Sequence, residues 1–484
     1  MIEEPIGSPS GDAPNEAAEP TRRVATPGVM IAPGHGPGSD QAVAGQAATA
    51  QPATEQAAAH PATELAAAAQ PTTEQAATEQ TATEPAVEQA ADSGQPTAPP
   101  DGAAGATRRR DVRLGYAKTV AGVLIAYVAL RGLCMAIVLS WGYHVGVTPI
   151  HLFDRFDMSG YVHIARFGYE KALTYGPNGV PQTTDLAFFP LYPGMIRAVA
   201  DISPLSYVSA GLLIAWLSSV AAAWGLFAVG SQMYNRRVGV MLVLLWAVLP
   251  YAIDESLGLT ESLFTALAAW CFYALLKRRW LTAGVLCMIS GLSRPTAVAL
   301  MAAIGVAALI ALFRREKPWW RPIVATAISP LGWLAYLVWV ARRIHRTDGW
   351  FYIQDKAWRS SFDGGRYSIH MATSTLTGHQ KTIEPYVVTL ILVIAVVLFV
   401  LSILERQPLS MIVYSALLFI TTVGGTNYYH TDPRHLLPAF PLLLPLAVGA
   451  ARMRLRNVAA VVIVATAVSA WYGGWLALVW GSSY

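Results

Sequence analysis

The stretch 153-FDRFDMSGYVHIARFGYE-170 sets two carboxylates, Asp154 and Asp157, directly after the first long apolar run of the chain. Most of the chain beyond residue 170 is apolar segment and short turn, so a polar cluster at this place needs a reason. Read as a helix from about Asp157, the stretch puts Asp157, Tyr161, Ile164 and Gly168 on one face at i, i+4, i+7 and i+11, and Gly168 suits a helix stop. The expected product is an acid at the start of a short amphipathic helix near a membrane surface. Such a carboxylate can act as a general base or hold a metal, and the plainer reading is a helix-capping aspartate. Two aspartates three residues apart, flanked by aromatics, favour the functional reading.

Composition decides the class. Hydrophobic residues make up 54% of the 484 and charged residues 13%, and mean hydropathy is +0.41. Repeated apolar runs near span length fit helices crossing a hydrocarbon core of ~30 Å. The first run covers about Tyr116 to Trp141. Later spans are expected at about 208–231, 238–253, 259–276, 281–293, 295–313, 322–341, 385–404, 408–424, 436–451 and 457–479. The predicted fold is therefore an all-α polytopic membrane protein of about eleven transmembrane helices. Ser293-Arg294-Pro295 interrupts two of these spans, and broken helices at membrane depth usually line a cavity. The formal charge of +4 is small and gives no sign of a nucleic-acid partner. Cys134, Cys271 and Cys287 all lie in apolar runs, without the spacing of a disulfide framework or a zinc site.

Residues 1 to about 107 form a separate region of Ala, Thr, Glu, Gln, Pro and Gly, with a loose repeat in 52-PATEQAAAH and 61-PATELAAAAQ. Such a segment buries too little apolar surface to offset its ordering entropy, so it is expected to be a disordered tail. No early apolar region marks a secretory signal. The transmembrane domain then covers 108–484. Arg108, Arg109, Arg110 and Arg113 precede the first span and place the tail in the cytoplasm. Alternate connections agree: Arg236-Arg237, Lys277-Arg278-Arg279, Arg314-Arg315 with Lys317 and Arg321, Arg406, and Arg452 with Arg454 and Arg456 are all basic. The 153–170 stretch then faces outward, with the loops at about 342–384 and 424–435. Arg342, Arg343 and Arg346 break the charge bias on that outer side, either for an anionic ligand or by snorkelling to lipid phosphate.

Other polar groups fall in the same outer regions. In 185-DLAFFPLYPGMIR-197, Pro190 and Pro193 are expected to break a regular helix in a segment that re-enters the membrane. The connection 254-DESLGLTES-262 carries Asp254, Glu255 and Glu261, which either cap a helix or orient a substrate or cation. Arg294 is an ionisable residue at membrane depth, with an anionic lipid phosphate as its obvious partner. Trp358 and Arg359 belong to a second loop suited to sugar and phosphate, and 424-GGTNYYHTDPRH-435 adds His430 and Arg434. Tyr161, Asp185, Glu261, Arg294, Trp358, Arg359, His430 and Arg434 are the candidate substrate-binding residues, and Asp157 with Asp154 the candidate catalytic pair. No P-loop, GxGxxG, HExxH or GxSxG with triad partners is present, which removes support from nucleotide-driven transport and serine hydrolysis.

The order F-D-x(3)-Y-x(2)-I-A-x(2)-G-Y at 156–169, A-F-F-P-L-Y-P at 187–193, T-E-S-L-F at 260–264 and L-S-R-P-T at 292–296 resembles the PIG-V-like mannosyltransferases, integral-membrane glycosyltransferases of GT-C architecture. The resemblance runs from about residue 115 onward, and the tail has no counterpart in it. It implies a polyprenyl-phosphate sugar donor, mannose foremost, used at the outer face of the plasma membrane on a glycolipid, glycan or protein acceptor. By the same resemblance Asp157 takes the catalytic position, and Glu261 and Arg294 match the later acidic and basic positions. Phe156 stands where the family usually has Trp, and Leu259 where Tyr often precedes the Thr-Glu pair. The expected reaction is a direct inverting transfer with Asp157 as base; a divalent cation is possible, with Asp154 in a supporting or metal role. The rival is a lipid-linked sugar flippase or transporter without catalysis. It needs polar residues along a path through the spans, whereas here they gather on one face.

Overall fold

The computed structural model describes residues 101–154 and 156–480, with side chains from Leu114 onward apart from Phe156. Residues 1–100 of the expected tail lie outside the described residues, while 101–107 belong to the opening turns of the first helix. Eighteen α-helices are present among the described residues. They begin with α1 (Asp101–His144), α2 (Pro149–Phe153), α3 (Phe156–Phe167), α4 (Leu191–Ile202), α5 (Tyr207–Met233) and α6 (Arg236–Ala247). The middle set is α7 (Glu261–Leu276), α8 (Trp280–Ser290), α9 (Ala297–Phe313), α10 (Trp320–Ile328), α11 (Leu331–Arg343) and α12 (Gly349–Tyr352). The last are α13 (Arg366–Leu376), α14 (Glu384–Leu404), α15 (Leu409–Val423), α16 (Asp432–His435), α17 (Leu444–Arg452) and α18 (Leu455–Trp475). Extended pairing among the described residues is limited to two isolated bridges, Tyr175 with Pro181 and Phe362 with Gly425.

This is a multi-pass membrane protein. Among the described residues, five helical stretches are long and apolar enough to cross a bilayer: Leu114–His144, Tyr207–Met233, Trp320–Arg343, Glu384–Leu404 and Leu455–Trp480. Helix α14 shows the reason in its side chains. Val388, Leu392, Ala395 and Leu398 are buried, while Leu390, Val393, Ile394, Val397 and Leu401 stay exposed as an apolar stripe suited to lipid. Four shorter apolar helices, α7, α8, α9 and α15, fill the interior between them.

Three of the expected spans are not continuous helices, and 322–341 divides at Ser329-Pro330 into α10 and α11. The segment 238–253 ends as α6 at Ala247, just before Pro250, and continues as a 3-10 turn over Ala252–Ser256. The segment 436–451 is interrupted at Pro438 and Pro441. The pieces Tyr429–His435 and Phe440–Arg452 meet at 76°. Charged residues flank two of these segments: Asp254 follows 238–253 and Arg434 precedes 436–451. The break expected in 185–197 is present at Pro190: a 3-10 turn over Asp185–Ala187 is followed by non-helical residues 188–190 before α4 opens at Leu191. Pro190 caps α4 and Pro193 lies in its first turn, where proline removes no helical hydrogen bond.

The 153–170 stretch folds as its periodicity requires. Helix α3 ends at Phe167, and Gly168 takes φ +81°. Met158, Tyr161 and Ala165 bury against Tyr192 and Ile196 of α4 and Ala210 and Ile214 of α5, each large apolar side chain contributing about 1.5–3 kcal/mol. Met158 is held in a double notch. A Cβ at Gly211 would collide with its methyl, and one at Gly258, where φ is +84°, would meet its sulfur at 2.9 Å. The residue after Asp157 is thus fixed against both α5 and the 254–262 connection.

Candidate active site

Asp157 occupies the first turn of α3, with its side chain 27% exposed. Its Oδ2 accepts from Nη2 of Arg434 at 2.5 Å. Arg434 sits on the four-residue helix α16, whose start at Asp432-Pro433 suits proline's fixed φ. From there its Nε donates to Oε1 of Glu261 at 2.5 Å. Glu261 opens α7, where the helix dipole favours an acid, and is fully buried. The same Oε1 accepts from Nη1 of Arg294 at 2.5 Å. Arg294 lies in the turn between α8 and α9, and that turn is joined to α4 by the bond from Leu191 N–H to the Leu292 carbonyl, 2.9 Å. Arg294 Nη1 also lies 3.4 Å from Thr260 Oγ1, and the Tyr161 hydroxyl is 3.5 Å from that oxygen.

The result is one continuous array, Asp157–Arg434–Glu261–Arg294, assembled from α3, α16, α7 and the α8–α9 turn. Buried ion pairs must recover a large desolvation cost. Here each carboxylate has a guanidinium within hydrogen-bond distance, and Glu261 has two sharing one oxygen. Asp157, at the open end, is the member that a substrate can reach. The Tyr428 hydroxyl donates to the Trp358 carbonyl at 2.9 Å and is pushed above its usual pKa by burial and by the Asp157 carboxylate nearby.

Beside the array runs a second buried set that the sequence signalled only in part. Arg131, in the middle of α1 and fully buried, donates from Nη2 to the Ala252 carbonyl and to Ser256 Oγ, the latter at 2.8 Å. It pins the Ala252–Ser256 turn, which carries Asp254 and Glu255. Tyr127 donates to Oε2 of Glu255 at 3.3 Å. An arginine inside a first span was visible in 129-ALRGLCM-135 and is a functional signal by default.

The remaining candidates are placed differently. Asp154 is exposed at the end of α2, with its backbone N–H closing that helix on the Ile150 carbonyl. Both oxygens of Asp185 accept from the Glu170 amide at 3.1 Å, and burial raises its pKa. Trp358 donates to the Thr184 carbonyl at 3.2 Å and packs edge-on against Phe188. Arg359 is exposed with φ +54°, and its carbonyl accepts from Thr426 and Asn427. His430 packs its ring against Trp480 at 5.1 Å, and its carbonyl accepts from Tyr251 at 3.0 Å. Arg343 donates to the carbonyls of Glu170 and Tyr169. Arg346 pairs with Asp348. Among the described residues no group of three or more His, Cys, Asp or Glu side chains converges as a metal site.

An apolar groove of about 320 Å³ lies between α5, α7 and α8. Leu217, Ser218 and Ala221 line one side, Leu263, Ala266, Leu267 and Trp270 the next, and Leu286 closes it. Its α7 side begins at Leu263, two residues past Glu261.

No family model matches the sequence, and no curated protein matches it. Three solved structures share part of its helical arrangement. ArnT from Cupriavidus metallidurans bound to undecaprenyl phosphate is 13% identical, with a TM-score of 0.45 over 72% of this chain and 63% of that one. The apo state of the same protein gives 13% and 0.44 over 70% and 61%. The apo oligosaccharyltransferase of Archaeoglobus fulgidus gives 11% and 0.43 over 73% and 55%. The chain thus spans less than two thirds of the length of these proteins.

Proposed function

We propose that the chain is an integral-membrane glycosyltransferase of the PIG-V-like, GT-C kind. It takes a hexose, mannose by the motif resemblance, from a polyprenyl-phosphate donor and passes it to a hydroxyl at the outer face of the plasma membrane. The observation that carries the reading is the ion-paired array with Asp157 at its open end; the apolar groove between α5, α7 and α8 adds to it. A polyprenyl phosphate has the same two halves: an anionic head that arginines can hold and a tail that a groove can take.

In the proposed reaction the acceptor hydroxyl gives its proton to Asp157 as its oxygen bonds to the anomeric carbon. The bond from that carbon to the phosphate oxygen breaks, and its electron pair leaves with polyprenyl phosphate. Arg434 and Arg294 stand where they can take up the charge that develops on the leaving phosphate. Attack opposite the leaving group inverts the anomeric centre. Glu261 keeps both guanidiniums aimed at one point, and its negative charge is offset by them.

Membranes carrying the protein and polyprenyl-phosphate mannose labelled in the sugar test the assignment. Asp157→Asn is expected to abolish transfer while the protein stays at wild-type levels. Transfer surviving in that variant would overturn the assignment of the base. Vesicles that move the labelled lipid across the bilayer with no new glycosidic bond would overturn the enzymatic reading.

A further inference from the structure

Asp254 is fully buried, and neither of its carboxylate oxygens has a hydrogen-bond partner among the described residues. An orphaned buried carboxylate is costly, so its place in the fold calls for a use. It stands in the Ala252–Ser256 turn, which Arg131 of α1 holds at Ser256 and Ser262 of α7 holds at the Glu255 carbonyl, 3.0 Å. Tyr251, just before the turn, donates to the His430 carbonyl beside α16 at 3.0 Å. Arg434, Glu261, Arg131 and Asp157 lie within electrostatic reach of Asp254. Its own turn adds Glu255, and the Tyr251 and Tyr472 hydroxyls face it from the preceding turn and from α18. This set holds four carboxylates and three guanidiniums once Arg294 is included.

The mechanism leaves one difficulty in that balance. Asp157 is tied to Arg434 at 2.5 Å, and this bond has to be given up when Asp157 takes a proton. As Asp157 takes a proton its attraction for Arg434 disappears, and the guanidinium needs another anion. Glu261 already accepts two guanidiniums on one oxygen. Asp254 offers two accepting oxygens within the same buried set.

We propose that Asp254 is a positioning residue for the proton transfer: its carboxylate takes up the Arg434 guanidinium as Asp157 is protonated. The inference rests on the glycosyl-transfer reading of the site. The covalent bonds made and broken remain those of that transfer, and Arg434 keeps all its protons while changing carboxylates. Burial lifts the Asp254 carboxyl to about 7, with Arg434 opposing that rise. Asp254 is therefore charged above about pH 7 and neutral below it, and only the charged form can draw Arg434 away. Turnover should fall as pH drops through that region.

The test uses the full protein in membranes, polyprenyl-phosphate mannose labelled in the sugar, and the acceptors those membranes contain, between about pH 5.5 and pH 9. Asp254→Asn is expected to lower kcat about tenfold at pH 8, with KM for the donor within about twofold, and to erase the step near neutral pH. Asp254→Glu keeps the carboxylate and should regain part of kcat together with the step. An Asn variant with wild-type kcat and an unchanged step overturns the proposal. So does a pair of variants equally impaired with the step intact, because that is the mark of lost packing. If the Asn variant does not accumulate, loss of the step in the Glu variant overturns it. A wild-type protein that transfers no label refutes the glycosyl-transfer reading instead.

Discussion

Replacing Arg434 by methionine removes the hub of the array at nearly constant volume. Arg434 makes two charged hydrogen bonds of 2.5 Å, to Glu261 and to Asp157. Removing one partner of a buried pair typically costs about 3–5 kcal/mol, because the other charge is stranded. Here two facts pull the cost to the low end. Glu261 keeps Arg294 at 2.5 Å, and Asp157 is 27% exposed and can be solvated. The expected loss is therefore about 3 kcal/mol. The fall in transfer is expected to be about 10²–10³-fold, the usual effect of deleting one group that stabilises a developing charge. Thermal unfolding of the purified protein in detergent reads the first number, and labelled transfer in membranes reads the second. A double-mutant cycle with Glu261→Gln should give a coupling of about 1–3 kcal/mol, since the two side chains touch. A melting temperature unchanged in Arg434→Met, or effects that add within about 0.5 kcal/mol, would refute the reasoning.

Three further outcomes are expected. Gly258→Ala meets both a positive φ and the Met158 sulfur at 2.9 Å. It should cost about 1–3 kcal/mol in thermal unfolding, and adding Met158→Ala should relieve only the contact part. Leu267→Trp fills the groove between α5, α7 and α8. KM for a long-chain polyprenyl donor should rise more than KM for a short-chain one, and equal effects on both donors would remove the groove from the donor site. Asp185 has a pKa raised by burial, so its folded value stands above its unfolded one. Its contribution is fully present at pH below the unfolded value and is lost as pH rises through the folded value. Asp185→Asn should accordingly flatten that part of the stability–pH profile in unfolding measurements, while transfer in membranes changes little.

The sequence made the helices legible wherever one period dominated. Asp157, Tyr161, Ile164 and Gly168 share a face in α3 because the 3.6-residue repeat there has no competitor. Breaks were harder, because a proline's effect depends on where it falls. Pro193 and Pro445 lie harmlessly in first turns, while Pro438 and Pro441 fall where a stretch that reads as one apolar run divides. For the candidate site, the residue types were legible, and Asp157, Glu261, Arg294 and Arg434 do come together. Their pairing was not, because it joins positions as far apart as 157 and 434, and no local pattern encodes that distance. Asp185 and Trp358 carried the same polar and aromatic signals, and their side chains bond to neighbouring backbone, while Arg359 stays exposed and engages Thr426 and Asn427 through its carbonyl. Arg131 was legible as a charge inside an apolar run, but its hold on the Ala252–Ser256 turn was not.

The two arginines that share one oxygen of Glu261 have a consequence for how the protein is made. Glu261 and Arg294 are close in the chain and can neutralise each other soon after both have left the ribosome. Arg434 emerges much later, and until it arrives Asp157 has no guanidinium from that helix. The early half of the bundle can therefore settle in the bilayer with its deepest charge already matched. The outer half of the array closes only when the last segments are inserted. A chain truncated before residue 434 should then leave the translocon as a stable but catalytically silent bundle, and protease sensitivity around 153–170 should mark the missing clasp.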